Sequence, residues 1–143
     1  MSIARIIEGR DQAIIQCSPQ DSVLHATRLL AEKRIGALPV VEDGKVAGIF
    51  SERDLLYCVA RDGAAVLDRS VGEVMTAPAI TIAPTADALN ALSLMTKRRI
   101  RHLPVVGEDE AMVAFVSIGD LVKFRMDMIE EEAEQMREYI TMT

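Results

Sequence analysis

Two short motifs in the chain place a serine three residues before a carboxylate. They are "SERD" at 51–54 and "SIGD" at 117–120. Such a pair forms a capping box at the start of a helix: the serine oxygen accepts from the third helical N–H, and the acid accepts from the serine N–H. A carboxylate can also accept from two adjacent hydroxyls, as acids do with ribose in dinucleotide folds, and a helix N-terminus favours a phosphate. The motifs alone leave both interpretations open, a helix cap and a ribose clamp.

The binding interpretation needs a positive charge close to the acid, because a carboxylate repels the phosphate that accompanies a ribose. The first motif contains such a charge in Arg53, whereas the second motif has Gly119 at the same place. A basic run, "KRRIRH" at 97–102, ends in Arg101 and His102. These two residues either supply cations to a binding site or form an ordinary solvated pair at the start of a strand.

The remaining residues indicate no catalytic or metal centre. The sequence has no Cys/His cluster with zinc spacing, no Gly-rich phosphate loop and no nucleophile turn. His25 has no partner at ligand spacing, so we expect a surface or half-buried histidine. Cys17 and Cys58 stand in unrelated contexts and predict reduced thiols rather than a disulfide.

Charge and hydropathy restrict the class of partner and the location. The net charge of −6 argues against nucleic acid, which needs a basic face. No apolar run approaches the ~20 residues of a membrane span. The charged start of the chain does not resemble a signal peptide. We therefore expect a cytoplasmic protein with no membrane segment.

The two motifs belong to a longer internal repeat. Residues 14–41 align with 79–106 at an offset of 65, and both segments end in "LPVV". Residues 47–56 then align with 113–122 at an offset of 66. The phrase "RIGALPVV" of the first copy becomes "RIRHLPVV" in the second copy. A period of this length is one supersecondary unit rather than a solenoid repeat.

Each repeat predicts the element order β-α-β-β-α. A first strand (13–17 or 79–83) precedes a helix that starts near Asp21 or Thr85, and "LPVV" is the second strand. Asp43-Gly44 is a strong hairpin signal before the third strand, and the last helix starts at Ser51 or Ser117. One such unit cannot cover both faces of its small sheet, so two should pack into one α/β module. Half of the residues are apolar and only 3% are aromatic, so aliphatic side chains must fill the core.

With "LPVV" followed by "GIFSERD" or "FVSIGD", the chain resembles a tandem pair of cystathionine-β-synthase (CBS) domains, the arrangement called a Bateman module. The segment "VGEVMT" at 71–76 is similar to the opening of a second CBS domain. The resemblance implies two CBS repeats, residues 2–62 and 70–124, related by a pseudo-two-fold axis. Residues 125–143 would form a C-terminal helical extension.

The resemblance also implies binding of an adenosine compound without catalysis. AMP is the expected ligand, ahead of ADP, ATP and NADH, in a sensor that regulates an unidentified protein. The alternative is a structural or adaptor homodimer with empty clefts. One implied cleft, equipped for a phosphate, is formed by Ser51, Arg53, Asp54, Ala83, Arg101 and His102. The other, without a cation, is formed by Ser18, Gly36, Ala37, Ser117, Gly119 and Asp120.

The end of the chain predicts a helix over about 120–140, because no Gly or Pro follows Gly119. Its apolar residues have the spacing 4, 3, 4, 3, 4, which is typical of a coiled-coil stripe. The stripe either packs on the module or meets a partner helix, most simply that of a second copy. We expect a homodimer. The stripe consists of Val122, Met126, Ile129, Ala133, Met136 and Ile140.

Overall fold

The computed structural model describes residues 1–10 and 13–142. A short 3-10 helix at Ala64–Asp68 lies between the two repeats. The four strands are β1 (Ala37–Glu42), β2 (Lys45–Ser51), β3 (His102–Val106) and β4 (Met112–Ser117). The α-helices are α1 (Ile3–Ile7), α2 (Val23–Lys33), α3 (Glu52–Asp62), α4 (Val71–Val74), α5 (Ala88–Arg98) and α6 (Ile118–Met142).

Each repeat contains one antiparallel hairpin, β1 with β2 and β3 with β4. The pairing is equivalent in the two copies, with Leu38 opposite Phe50 and Leu103 opposite Val116. The predicted hairpin turn is confirmed: Asp43 and Gly44 both have positive φ, as a two-residue turn between twisted strands requires. These local elements are the ones that the sequence repeat predicts.

The predicted first strand of each repeat is reduced to a single residue. Cys17 forms one parallel bridge with Val40, and Ile82 forms the equivalent bridge with Val105. The Cys17 N–H donates to the Pro39 carbonyl at 3.2 Å. The next step of the ladder would need the N–H of Pro19 in one direction and of Pro39 in the other, and proline has none. The second repeat has prolines at the same two places, so the extended segments pair no further.

The two repeats exchange their preceding short helices. Ile3 of α1 is fully buried in the core of the second repeat, and Val71 of α4 is fully buried in the core of the first. The backbone repeats the exchange, because the Ile3 N–H donates to the Ala86 carbonyl and the Val71 N–H to the Asp21 carbonyl, both at 2.8 Å. Each buried side chain stabilises the fold by about 1.5–3 kcal/mol. The exchange therefore joins the repeats into one module with approximate two-fold symmetry.

The C-terminal helix α6 extends well beyond the module. Leu121 is buried, and Phe124 and Met128 are half-buried on the same side. The predicted apolar stripe lies on another side and is exposed: Met126 is 56% exposed and Met136 is 63% exposed. The stripe therefore does not pack on its own module. In the part of the chain that the structure describes, no helix has the length and apolar character to cross a membrane.

Candidate functional site

A cavity of about 460 Å³ lies between the two repeats, which is the size of a small-molecule site. The first repeat contributes the start of β1, the end of β2 and the first turn of α3. The second contributes the segment that joins α5 to β3. The lining residues are Gly36, Ala37, Ile49, Ser51, Glu52, Arg53, Asp54, Thr76, Pro78, Ala79, Ile80, Arg99, Ile100, Arg101 and His102.

Five residues predicted for the first cleft do line this cavity, and the sixth does not. The sixth residue is Ala83. From the same predicted strand, 79–83, the residues that line the cavity are Ala79 and Ile80. The five residues are Ser51, Arg53, Asp54, Arg101 and His102.

Gly36 and Ala37, which were predicted for the other cleft, line this cavity as well. A Cβ atom built on Gly36 would lie 3.8 Å from His102 Cε1. The equivalent starts of β1 and β3 meet at the interface between the repeats, so Gly36 and Ala37 share this space with Arg101 and His102. The assignment of Gly36 and Ala37 to a second cleft stays a prediction. The missing side chain of Gly36 leaves room beside the basic residues of the other phrase.

Asp54 forms the capping box and also borders the cavity. Its Oδ2 atom accepts from the Ser51 N–H at 2.9 Å and from the Ser51 hydroxyl at 3.0 Å. The Asp54 N–H donates to Ser51 Oγ at 3.1 Å. Its Oδ1 atom accepts one bond, from the Thr76 hydroxyl at 2.9 Å. Because a carboxylate oxygen can accept more than one bond, the cap does not exclude a ligand hydroxyl at Oδ1.

Thr76 is a site residue that sequence reasoning missed. Its backbone exchanges two hydrogen bonds with Ile49, of 2.9 and 2.8 Å, which fix the linker between the repeats on the edge of β2. The linker can approach so closely because residue 48 is glycine. A Cβ atom there would lie 2.7 Å from the Thr76 carbonyl oxygen. The available signal was this glycine inside a strand, which often marks a close approach of backbone.

The charges in the cavity are mixed, with a positive excess. Arg53, Arg99 and Arg101 line it together with two acids, Glu52 and Asp54. The Arg53 Nη1 atom donates to the Arg99 carbonyl at 3.4 Å, so this guanidinium reaches from the first repeat to the second. Sequence reasoning missed Arg99, which ends α5 in a left-handed conformation with φ of 55°. The three arginines outnumber the two acids, so the lining of the cavity carries a net positive charge.

His102 is half-buried and stacks on Phe115, with ring centroids 5.3 Å apart and planes 13° apart. Burial lowers the pKa of His102 below its ordinary value. The carboxylates of Asp120 and Glu52 oppose this shift, and Arg101 adds to it. The imidazole is therefore neutral at pH 7, and the arginines carry the positive charge of the cavity.

The second predicted cleft has a cation after all. Arg10 Nη2 lies 3.2 Å from Asp120 Oδ2, so the prediction that no cation meets this acid is wrong. Asp120 also forms a capping box, accepting from the Ser117 N–H at 2.9 Å and donating its own N–H to Ser117 Oγ at 3.1 Å. Arg10 precedes the aligned segment 14–41, so the alignment of the repeats gave no signal for it. Ser18 lies in the turn before α2, where its hydroxyl donates to Gln20 Oε1 at 2.6 Å.

The other titratable groups form no further centre. Within residues 1–10 and 13–142, no group of three His, Cys, Asp or Glu side chains is arranged to hold a metal ion. Cys17 and Cys58, which were expected to be reduced thiols, are both free and buried. Burial raises the pKa of Cys17 to about 11, which keeps this thiol protonated. His25 is exposed, 4.0 Å from Asp21.

Two α/β repeats that exchange short helices and share a cavity at their interface define a paired-repeat module. The sequence profile of the CBS domain matches residues 11–61 and 71–127. The chain belongs to the CBS domain family and contains two copies of the domain. The resemblance given by the repeat is thus confirmed.

Relatives of known sequence support the same assignment. The chain is 36% identical over 138 residues to CBS domain-containing protein CBSX3, mitochondrial, of Arabidopsis thaliana, covering 93% of this chain and 66% of that protein. It is 32% identical to CBS domain-containing protein YhcV of Bacillus subtilis, covering 76% of each. It is 34% identical to inosine-5'-monophosphate dehydrogenase of Korarchaeum cryptofilum but covers only 21% of that enzyme. The relatives that match along most of their length are CBS-domain proteins rather than enzymes, in agreement with the sequence prediction.

Solved structures share the fold. The CBS-domain containing protein ATU1752 from Agrobacterium tumefaciens has a TM-score of 0.81 at 34% identity, covering 87% of this chain and 99% of that chain. A structure of CBSX2 in complex with AMP has a TM-score of 0.76 at 24% identity, with 89% and 97% covered. The CBS domain pair of MJ0100 from a complex with 5-methylthioadenosine and S-adenosyl-L-methionine has a TM-score of 0.77 at 22% identity, with 90% and 98% covered.

Proposed function

We propose that this module binds an adenine nucleotide in the cavity between its repeats, AMP ahead of ADP, ATP and NADH, and regulates another protein without catalysis. The observation that carries the proposal is the meeting of the Asp54 carboxylate with Arg53, Arg99 and Arg101 in one cavity of about 460 Å³. CBS pairs of the same fold that hold AMP or S-adenosyl-L-methionine support an adenosine ligand. We also propose that the protein is cytoplasmic, as the sequence predicts.

The cavity offers a separate environment for each part of a nucleotide. The Asp54 Oδ1 atom, which accepts only from Thr76, faces the ribose diol. Arg99 and Arg101 face the phosphate, since one guanidinium group can donate two parallel hydrogen bonds to phosphate oxygens. Ile49, Ala79, Ile80 and Ile100 supply apolar walls on which the adenine ring packs. Asp54 and the arginines thus select a nucleotide over a free base or a free phosphate.

One observation favours the alternative, a structural or adaptor homodimer with empty clefts. Both acids of the Ser-x-x-Asp motifs already have a structural role as helix caps, and Arg10 neutralises Asp120 without any ligand. In that case Asp54 and Asp120 contribute about 1 kcal/mol each to helix stability and bind nothing.

A thermal-shift series with adenosine, AMP, ADP, ATP, NADH and S-adenosylmethionine separates the two functions. A ligand that binds only the folded state stabilises it by about 2.7 kcal/mol at 100 times its Kd. We expect AMP to raise the Tm more than adenosine does. If none of the six compounds at millimolar concentration moves the Tm, the adaptor alternative is correct.

A double substitution tests the phosphate site. Arg101→Gly with His102→Ala writes the first phrase, "RIGALPVV", into the second repeat. We expect calorimetry to show that the preference for AMP over adenosine falls by about tenfold, since a charged hydrogen bond contributes about 1.5–3 kcal/mol. Adenosine should bind as before, which serves as the internal control. An unchanged preference for AMP would remove Arg101 and His102 from the phosphate site.

A further inference from the structure

The second half of α6 is almost entirely exposed to solvent. From residue 129 to residue 142 every residue is exposed except Ala133, which is half-buried. An isolated helical segment of this length is only marginally stable in water. It nevertheless presents large apolar side chains to solvent, including Ile129 at 48% and Met136 at 63% exposure. A helix of this kind is stabilised when its apolar side is covered.

The apolar side has the geometry of a coiled-coil seam. We define the α6 seam as Val122, Met126, Ile129, Ala133 and Met136, which alternate in steps of four and three residues. In heptad notation Met126 and Ala133 take position a, and the other three take position d. The seam lies apart from Leu121 and Phe124, which face the module, so a second helix can approach it without displacing any packed side chain.

The charges beside the seam indicate the orientation of the partner. In a parallel pair, position g of one helix faces position e of the other, five residues further on. Arg125 at g then faces Glu130 of the second copy, and Glu132 at g faces Arg137 of the second copy. Two-fold symmetry doubles these contacts, and all four are attractive. The chain is therefore complementary to itself in this arrangement.

The antiparallel arrangement has two possible registers, which pair e with e and g with g. A register centred on residue 130 places Glu130 against Glu130 of the second copy and Lys123 against Arg137 of the second copy, and like charges that face each other destabilise a pair of helices. The register centred between residues 127 and 128 brings opposite charges together but places Met136 opposite Gly119, so this seam residue stays uncovered. Only the parallel pair combines attractive charges with contacts for all five seam residues.

We propose that two copies of the chain associate through α6 as a parallel, in-register, two-stranded coiled coil. This interaction is independent of the nucleotide, since none of the seam residues lines the cavity between the repeats. An anionic lipid surface is a poor occupant because Glu130 and Glu132 flank the seam. The second copy is the partner that the flanking charges fit.

Charge reversal at one intermolecular pair tests the partner. In the full chain, Glu132→Arg and Arg137→Glu each convert two attractive contacts per dimer into repulsive ones. We expect each substitution to raise the dimer Kd, measured by analytical ultracentrifugation, by about 5- to 30-fold. The double variant should return to within about threefold of the unmodified chain, because residues five apart on one helix do not face each other.

Glu131→Arg is the matched control, since it makes the same charge change at position f, away from the seam. It should leave the dimer Kd within about twofold of the original value. The proposal is overturned if the unmodified chain is a monomer at 100 µM, if the double variant shows no rescue, or if Glu131→Arg weakens the dimer as much as Glu132→Arg does.

A cysteine placed near one end of the seam tests the orientation. Under mild oxidation a Met136→Cys chain should form a disulfide-linked dimer, because the two copies of residue 136 are adjacent only in a parallel, in-register pair. The unmodified chain under the same conditions is the control, since Cys17 and Cys58 are both buried. An antiparallel pair would instead join Met136→Cys to Met126→Cys, or Val122→Cys to Ala133→Cys, in a mixture of the two variants concerned, and either product would overturn the proposal.

Discussion

Asp54 combines two roles that are usually considered alternatives. Its Oδ2 atom completes the cap of α3, and its Oδ1 atom borders the cavity with Thr76 as its hydrogen-bond partner. Its equivalent, Asp120, has the same cap but an arginine as its further partner. Identical motifs in the two repeats thus occupy different electrostatic environments, and only Asp54 belongs to the cavity of about 460 Å³.

Replacing the acid by its amide separates the two roles. Asp54→Asn retains an oxygen for the cap but loses the charge that attracts a ribose diol. We expect the Kd for AMP, measured by calorimetry, to rise about tenfold or more. The free energy of unfolding without ligand should fall by less than about 1 kcal/mol.

Asp120→Asn is the matched control for this change, because it alters the equivalent cap in the other repeat. It should leave the Kd for AMP within about twofold. If Asp54→Asn binds AMP as tightly as the unmodified chain does, Asp54 is a cap and nothing more.

His102 makes the stability of the module depend on pH. Burial lowers its pKa in the folded state, so the unfolded chain, with an ordinary pKa of about 6.5, binds the proton first as the pH falls. The free energy of unfolding should therefore decrease from about pH 7 downward, by at most about 1.4 kcal/mol per pH unit. Urea unfolding at several pH values measures this slope.

The variant His102→Gln should lose this part of the slope while it keeps the part that other groups contribute. A bound phosphate at His102 would raise its pKa, so AMP binding should tighten over the same interval in the unmodified chain only. Equal slopes in the two proteins would show that His102 does not change its protonation on unfolding.

The residues of the cavity could be predicted where the repeat carried the information. Arg53 and Arg101 differ in charge from the residues at the equivalent positions of the other copy, and that asymmetry was visible in the sequence. The role of Arg99 could not be predicted in this way, because its equivalent in the first repeat, Arg34, has the same charge. Arg10 and Thr76 lie outside the aligned repeats, so their contacts depend on how the repeats pack against the segments that join them.

At the scale of elements, local signals predicted α2, α3, α5, α6 and the two hairpins, but not the short helices α1 and α4. Ser22, Ser51 and Asp87 accept from a backbone N–H at the start of α2, α3 and α5, respectively. The prediction of a full first strand in each repeat was wrong. The pairing of this segment depends on which backbone N–H groups are available in it and in the neighbouring strand. Prolines at 19 and 39 block that pairing, as do those at 84 and 104, although the segments themselves are apolar and extended.

Gly48 in β2 should be intolerant of any side chain. A Cβ atom there would lie 2.7 Å from the Thr76 carbonyl oxygen and 2.8 Å from Met75 Sδ. We expect Gly48→Ala to lower the free energy of unfolding in urea by about 1–3 kcal/mol. It should also weaken AMP binding, because Thr76 moves with the linker. The second repeat has Ala114 at the equivalent position.

Gly36→Ala is the control for Gly48→Ala, since the atoms nearest its Cβ are at ordinary contact distances of 3.5 Å and more. It should change the free energy of unfolding by less than about 0.5 kcal/mol. If the two variants unfold at the same urea concentration, the close approach of the linker to β2 does not determine the stability of this edge.

At the scale of the whole molecule, the chain has two parts, because the exchange of α1 and α4 joins the repeats into one packed body and α6 extends beyond it. Helix α6 starts at the Ser117–Asp120 cap, packs on the body as far as Met128 and then leaves it. Asp120 also acts on the pKa of His102, so the base of α6 lies close to the cavity. The body is suited to bind a ligand, and α6 is suited to join two bodies.

A chain that ends at Met128 should separate these parts. It keeps Leu121, Phe124 and Met128, which pack on the body, whereas an end at Lys123 would also remove the last two of these contacts. We expect the shortened chain to be a monomer at 10 µM by light scattering while its Kd for AMP stays within about twofold. If it remains a dimer, the interface lies elsewhere, and α3, with Leu56 at 65% and Tyr57 at 64% exposure, is the surface to test next. A dimer that is lost together with AMP binding would instead show that the pairing of α6 shapes the cavity.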